Sequence, residues 1–198
     1  MPSNSNNNIV TAVILAGGAG RRMAGEDKGL MPLQGKPLVQ HVLERLATQT
    51  GQLLINCNRN QERYARFGYP LLADTMEGGL GPLAGLLTAL ENSSSEFVLS
   101  VPCDTPYLPH DLVTRMLTTL QQEDAQACTV SDGERLHPVI MLVRRNATAA
   151  LRNYLEAGHR KVHDWFYSVA HCSSDFSDQA QAFVNINTLQ QLADAERR

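Results

Sequence analysis

Apolar residues fall along this chain as short runs that alternate with stretches of helical spacing. Val13, Ile14 and Leu15 close a run rich in branched residues that glycine ends abruptly, which predicts a strand buried on both faces. Leu38, Val42, Leu43 and Leu46 then share one face of a helix over Pro37 to Leu46. Leu53 to Ile55 reads as a second buried strand ending at Asn56, Gln61 to Phe67 as a short helix, and Pro70 to Ala73 as a third strand ending at Asp74. Residues 78–82 form a glycine-rich loop before a helix through Leu90, and Phe97 to Val101 is a fourth strand, stopped by Pro102-Cys103-Asp104. Strands alternating with helices imply parallel βαβ units, hence an α/β fold with a doubly wound, mostly parallel sheet flanked by helices. Ligands bind such sheets at the carboxyl ends of the strands. Gly17, Asn56, Asp74 and Asp104, which end successive strands, should therefore line one rim.

Beyond Thr105 the pattern loosens. Leu112 to Leu120 and Ala147 to Leu155 read as helices, Ala127 to Val130 and Val139 to Val143 as strands, and Val162 to Tyr167 as a short helix carrying the only tryptophan, Trp165. Ala182 to Ile186 reads as a late strand, with Thr188 capping a final helix from Leu189 to Ala195. No internal repeat is visible. Residues 9–198 thus form one domain, with a first half over about 9–106 and a lobe over about 107–198 laid against it. Pro2 to Asn8, PSNSNNN, has no apolar anchor and is expected to be a disordered tail.

The 198 residues suffice for one core, since a chain near that size buries about 70% of its unfolded surface. Seventeen basic and twenty acidic residues give a net charge of −3 with no basic run beyond a pair, which argues against nucleic acid as a partner. No apolar stretch is long enough to span a membrane and the polar start is no signal peptide, so a cytoplasmic protein is expected. Cys57, Cys103, Cys128 and Cys172 form no C-x-x-C pair and are expected to be reduced and mostly buried. His159 and His163 have the spacing of metal ligands on a helix, but Arg160 and Lys161 between them would repel a cation; a solvated helix face is the better reading.

The densest chemistry lies in Ile9 to Lys28, IVTAVILAGGAGRRMAGEDK. Gly17, Gly18 and Gly20 let the backbone turn sharply and approach a ligand, aiming N–H groups at an anion, while Arg21, Arg22 and Lys28 add positive charge. A P-loop is excluded because Glu26 and Asp27 follow Gly25 where lysine and a hydroxyl are required, and a dinucleotide fingerprint fails at Met23. A triphosphate cradle remains, set against the plainer alternative of a tight strand-to-helix turn. Asp104 closes a buried strand inside P-C-D-T-P and is a candidate ligand for a hard cation such as magnesium, which takes one or two carboxylates and completes its octahedron with phosphate and water. A helix-cap or turn aspartate is its ordinary alternative.

Leu15-Ala16-Gly17-Gly18, Arg22-Met23 and Asp27-Lys28 resemble the signature of the nucleotidyltransferases that fold like sugar-phosphate pyrophosphorylases, a Rossmann-like, nucleotide-diphospho-sugar transferase-like architecture. Within them the chain is most similar to the molybdenum cofactor guanylyltransferases, through Gly35-Lys36-Pro37-Leu38, Gly81-Pro82-Leu83-Ala84-Gly85, Pro102 to Pro106, Asp132-Gly133-Glu134 with His137-Pro138, and Asn185-Ile186-Asn187-Thr188, in that order. Ala24 departs from the glycine many members carry there. The resemblance implies transfer of GMP from GTP to molybdenum-bound molybdopterin with release of pyrophosphate and Mg2+ on Asp104. It implies Lys28, Arg22 and Asp104 as catalytic groups, and Leu15, Ala16, Gly17, Gly18, Lys28, Asn56, Asp74 and Asp104 around GTP. Gly85, Asn185 and Asn187 would face molybdopterin, with the turn from Asp132 to His137 a weaker addition. Other proteins of molybdenum cofactor synthesis, or the enzymes that receive the product, would be partners. Related cytidylyltransferases carry L-A-A-G where this chain has L-A-G-G, which favours GTP. Alternatives are a cytidylyltransferase, a sugar-1-phosphate nucleotidyltransferase, or a nucleotide sensor without catalysis.

Overall fold

The structure, a computed structural model, describes residues 9–16, 27–76, 78 and 81–197. The expected tail, the glycines and arginines of the cradle (Gly17, Gly18, Gly20, Arg21 and Arg22) and Ala24 lie outside the described residues. Nine strands are described: β1 (Val10–Leu15), β2 (Pro32–Leu33), β3 (Lys36–Pro37), β4 (Gln52–Asn56), β5 (Leu71–Leu72), β6 (Phe97–Pro102), β7 (Ala127–Ser131), β8 (Leu136–Arg144) and β9 (His171–Asp175). The helices are α1 (Leu38–Leu46), α2 (Gln61–Ala65), α3 (Pro82–Asn92), α4 (Leu112–Gln122), α5 (Thr148–Glu156), α6 (Val162–Ser168) and α7 (Leu189–Glu196). Short 3-10 turns occupy Lys28–Leu30, Arg145–Ala147 and Ser177–Phe183.

Seven strands make one sheet in the order β5-β4-β1-β6-β8-β7-β9, and β2 with β3 makes a separate small hairpin. Every pair in the large sheet is parallel except those of β8, which runs against both β6 and β7. The side-chain period of two sorts the central strands cleanly. Val10, Ala12 and Ile14 of β1, Leu53 and Ile55 of β4 and Leu99 and Val101 of β6 face one layer with α1 and α4; Val13, Leu54 and Val98 face the other with α3 and α5. Both faces are thus covered, as parallel sheets require. β1 continues to β4 on one side while β6 lies on its other, so the strand order reverses between β1 and β6, the point beyond whose carboxyl ends sheets of this kind take their ligands.

The expected strand over Ala182 to Ile186 is not formed. Its short apolar run reads as a strand, but Phe183 ends a 3-10 turn and packs into the main core, while Ile186 enters a third cluster with Leu33, Leu38 and Leu192. The backbone between them joins no ladder; the Ile186 N–H donates instead to the Asp104 carbonyl at 2.9 Å. Asn185 and Asn187 therefore do not share a strand face. His159 likewise sits before α6 and not on it, its ring 4.9 Å from that of Tyr154.

Candidate active site

Leu15 and Pro102 are register partners at the ends of β1 and β6, and Asp104 follows one turn later, 6% exposed. Its carboxylate is the hub of a cluster drawn from three remote stretches. The Lys28 ammonium pairs with Asp104 Oδ2 and also donates to Asn187 Oδ1, and Asn185 Nδ2 donates to Asp104 Oδ1 at 2.8 Å. The two asparagines reach this point because Ile186 between them is buried, 1% exposed, where α7 docks on the β2–β3 hairpin. Thr188 caps α7 as expected, its Oγ1 accepting from the Gln191 N–H, while Gln191 Oε1 accepts from the Asn187 N–H at 2.7 Å. That reciprocal cap fixes the backbone at Asn187.

Lys28 is held from behind by Asp27, its neighbour in the signature, and through it by Tyr64 and Asn60, which are not expected from the sequence. Asp27 caps the turn Lys28–Leu30, accepting from the Gly29 N–H, and its carboxylate also takes the Tyr64 hydroxyl at 2.6 Å and Asn60 Nδ2 at 2.8 Å. Tyr64 is fully buried, so its hydroxyl needs this partner. Gly29 is required by close approach, since a Cβ there would stand 2.5 Å from the Tyr64 oxygen. In the sequence Asp27 stands out only as the neighbour of Lys28 in the signature. Cys103 beside this network is no nucleophile: burial, and then the Asp104 and Asp27 carboxylates, push its thiol far above the usual range.

A second group forms at the ends of β4 and β5. Asn56, 4% exposed, donates from Nδ2 to Asp74 Oδ1 at 2.9 Å and to the Leu72 carbonyl at 3.3 Å. Asn58, absent from the sequence reading, donates to Asp74 Oδ2 at 2.8 Å and accepts from the Asp74 N–H. Both carboxylate oxygens are thereby oriented. Ala16 donates its N–H to the Asn56 carbonyl at 2.8 Å, so what it can offer a ligand is its carbonyl. Gly85, which the resemblance places toward molybdopterin, packs on this nucleotide-side group: a Cβ there would lie 2.4 Å from Asn56 Oδ1 and 2.7 Å from Leu15 Cδ2.

The geometry therefore joins Lys28, Asp104, Asn185 and Asn187 in one cluster, and Leu15, Ala16, Asn56, Asp74 and Gly85 in another on the same rim. No set of three His, Cys, Asp or Glu side chains with metal-binding geometry occurs among the described residues. A hard cation would find one carboxylate, Asp104, which suits an ion that takes its other oxygens from phosphates and water. No described helix is long and apolar enough to cross a membrane.

Comparison with known proteins identifies the family. A family profile described as a MobA-like NTP transferase domain matches residues 12–172. A molybdenum cofactor guanylyltransferase of Shewanella loihica is 50% identical over 190 residues, covering 94% of this chain and 96% of that one. Its counterpart in Shewanella halifaxensis is 48% identical over 182 residues, covering 92% and 91%. Among solved structures, molybdopterin-guanine dinucleotide biosynthesis protein A of Archaeoglobus fulgidus superposes with a TM-score of 0.80 at 21% identity, over 94% of this chain and 97% of that one, a likeness of fold. With the family profile, the sheet and relatives matched over nine-tenths of their length in agreement, the chain belongs to the MobA-like NTP transferases and groups with their molybdenum cofactor guanylyltransferases.

Proposed function

We propose that the protein transfers GMP from GTP to the phosphate of molybdenum-bound molybdopterin, giving the guanine dinucleotide form of the cofactor and pyrophosphate. The observation that carries this reading is the convergence of Lys28, Asp104, Asn185 and Asn187 beside the Asn56–Asp74 pair at the switch point of the sheet. In the transfer an anionic phosphate oxygen attacks an anionic α-phosphorus, so the obstacle is charge. Lys28 supplies a point charge for the triphosphate, and Arg22 a guanidinium that can span two oxygens. Guanine presents an N1–H and an amino group as adjacent donors, and the carboxylate of Asp74, held by Asn56 and Asn58, is a matching acceptor. Leu15, Ala16, Gly17 and Gly18 bring backbone against the nucleotide. Asn185 and Asn187 hold Asp104 and Lys28 from the acceptor side.

Asp104 would hold Mg2+, which would offset the charge that builds on the phosphates. Residues 9–106 would form the nucleotide half and residues 107–198 the lobe that receives the acceptor. The reaction is placed in the cytoplasm, where the protein's thiols stay reduced. Proteins that supply molybdopterin, or enzymes that take up the product, would be its partners. Pyrophosphate release is to be measured with molybdopterin, Mg2+ and either GTP, CTP or ATP. Release from GTP alone is expected. Equal release from CTP would refute the base assignment, and none from any nucleotide would refute the reading.

A further inference from the structure

Cys128 of β7 and Cys172 of β9 are register partners in a parallel pair of strands. Partners in neighbouring strands stand about 4.8 Å apart and turn their side chains to the same face of the sheet. That face is the one covered by α4. Cys128 is fully buried in the main core, and Cys172 packs on the same core while half-buried, because β9 is the edge of the sheet. Two positions on, Ser174 continues the face, its hydroxyl accepting from Thr119 Oγ1 of α4 at 3.2 Å. A disulfide takes Cα atoms about 4.4–6.8 Å apart, a window that this register meets.

We propose that Cys128 and Cys172 form a site of reversible thiol oxidation, at which a hydroperoxide converts the pair to an intramolecular disulfide that ties the edge strand β9 to β7. The inference is independent of which nucleotide or acceptor the rim takes. The two sulfurs are unequal. The Cys128 thiol donates to the Cys172 sulfur, which draws the Cys172 pKa below the ordinary thiol value although burial and the Glu123 carboxylate oppose it. The same hydrogen bond, together with burial, pushes the Cys128 thiol far up, so that it keeps its proton. Cys172, half-buried and on the edge strand, is therefore the sulfur that meets an oxidant. The other cysteines lack this arrangement: Cys57 is fully buried and pushed up to about 11 by burial and then by the Asp27 carboxylate, and Cys103 lies higher still.

In the first step the Cys172 thiolate attacks a peroxide oxygen. An S–O bond forms and the O–O bond breaks, so the sulfur is oxidised to a sulfenic acid while the peroxide is reduced, its other oxygen leaving as an alcohol after taking up a proton. The Cys128 sulfur then attacks that of Cys172. An S–S bond forms, the S–O bond breaks, and the hydroxyl leaves with the Cys128 proton as water. Two thiols and one hydroperoxide thus give one disulfide, one water and one alcohol, which is a second water when the oxidant is hydrogen peroxide. A dithiol reductant returns the pair to thiols by exchange, so in a reducing compartment the bond is transient and the resting state is the reduced one.

The test treats the whole protein with hydrogen peroxide and maps the products by peptide mass spectrometry. A peptide pair linked through Cys128 and Cys172 is expected, lost on adding dithiothreitol, with Cys57 and Cys103 oxidised at least about tenfold more slowly. Cys128→Ala removes the second sulfur without placing a polar group in the core, and should leave Cys172 as a sulfenic acid that dimedone traps. Cys172→Ser, at a half-buried edge position, should abolish the linkage and leave Cys128 reduced, and it carries the test alone should Cys128→Ala fail to fold. In the oxidised protein the amides of β9 should exchange hydrogen at least about tenfold more slowly, because an edge strand opens locally and the bond opposes that opening. No linkage between Cys128 and Cys172, linkage between two copies of the chain in its place, equally fast oxidation of Cys57 or Cys103, or oxidation of Cys128 in Cys172→Ser would each overturn the proposal. Unchanged exchange in β9 would refute the tie to the strand.

Discussion

Replacing Gly85 by alanine tests the nucleotide side of the rim. In an exposed helix interior this change would stabilise by about 1 kcal/mol. In α3 the new methyl would instead stand 2.4 Å from Asn56 Oδ1, 2.9 Å from Asn56 Cγ and 2.7 Å from Leu15 Cδ2. The leucine end can rotate away. The Asn56 amide cannot do so freely, because its NH2 is tied to Asp74 and to the Leu72 carbonyl. Overpacking costs about 1–3 kcal/mol and a buried amide torn from its partners about 1–3 more, so a net loss of about 1–5 kcal/mol remains after the propensity gain. For a chain of this size that is a fall of about 2–20 °C in melting temperature. Freeing Asp74 from Asn56 should also weaken GTP by about tenfold to a hundredfold, the scale of one hydrogen bond to a charged group. Calorimetry with GTP and thermal unfolding are the assays, repeated in an Asn56→Ala background where the overlap with the amide is gone, only the movable Leu15 end remains, and Gly85→Ala should cost little stability. Full GTP affinity in Gly85→Ala, with a raised KM for molybdopterin alone, would refute the argument and return Gly85 to the acceptor side.

Lys28→Ala should slow pyrophosphate release by about 10²–10³, the usual loss for one oriented donor, and unchanged turnover at saturating GTP would remove Lys28 from the mechanism. Asp104→Ala should nearly abolish release while metal-free GTP binding falls only modestly, because ground-state affinity is shared among many contacts; wild-type single-turnover rates would exclude it. Asp132 has a depressed carboxyl pKa in the folded protein, so its stabilising contribution is complete above the unfolded value near 4 and is lost as pH falls through the folded one. Urea unfolding should therefore show Asp132→Asn less stable than the unmodified protein at pH 6, with the gap narrowing by pH 3; a constant gap would contradict this.

The parts of the fold legible in the sequence are those where burial and periodicity coincide. β1, β4 and β6 are aliphatic because both faces of the sheet are covered there, and Asn56 does end β4 while Asp104 follows β6, as expected. Hydrophobic spacing reports burial, however, and not pairing. Phe183 and Ile186 look like strand residues because both are buried, although each anchors an unpaired segment in a different cluster. β9, with the sequence HCSSD, is an edge strand held on one side only and carries no apolar run. Lys28, Asp104, Asn56 and Asp74 could be named from motif and strand end. Tyr64 and Asn58 could not, because their roles come from hydrogen bonds to carboxylates far along the chain.

The phosphate-handling cluster has a consequence for the order in which the molecule is made. Lys28 and Asn187 stand 159 positions apart and Asp104 and Asn185 stand 81 apart, whereas Leu15, Asn56 and Asp74 all precede Asp104. During synthesis the base-side rim can assemble before the asparagine arms exist, and contacts of such long sequence separation form late. A chain interrupted short of Asn185 could hold a nucleotide yet lack the brace on Lys28 and Asp104. Translation order thus separates assembly of the base-side rim from completion of the Lys28–Asp104 cluster.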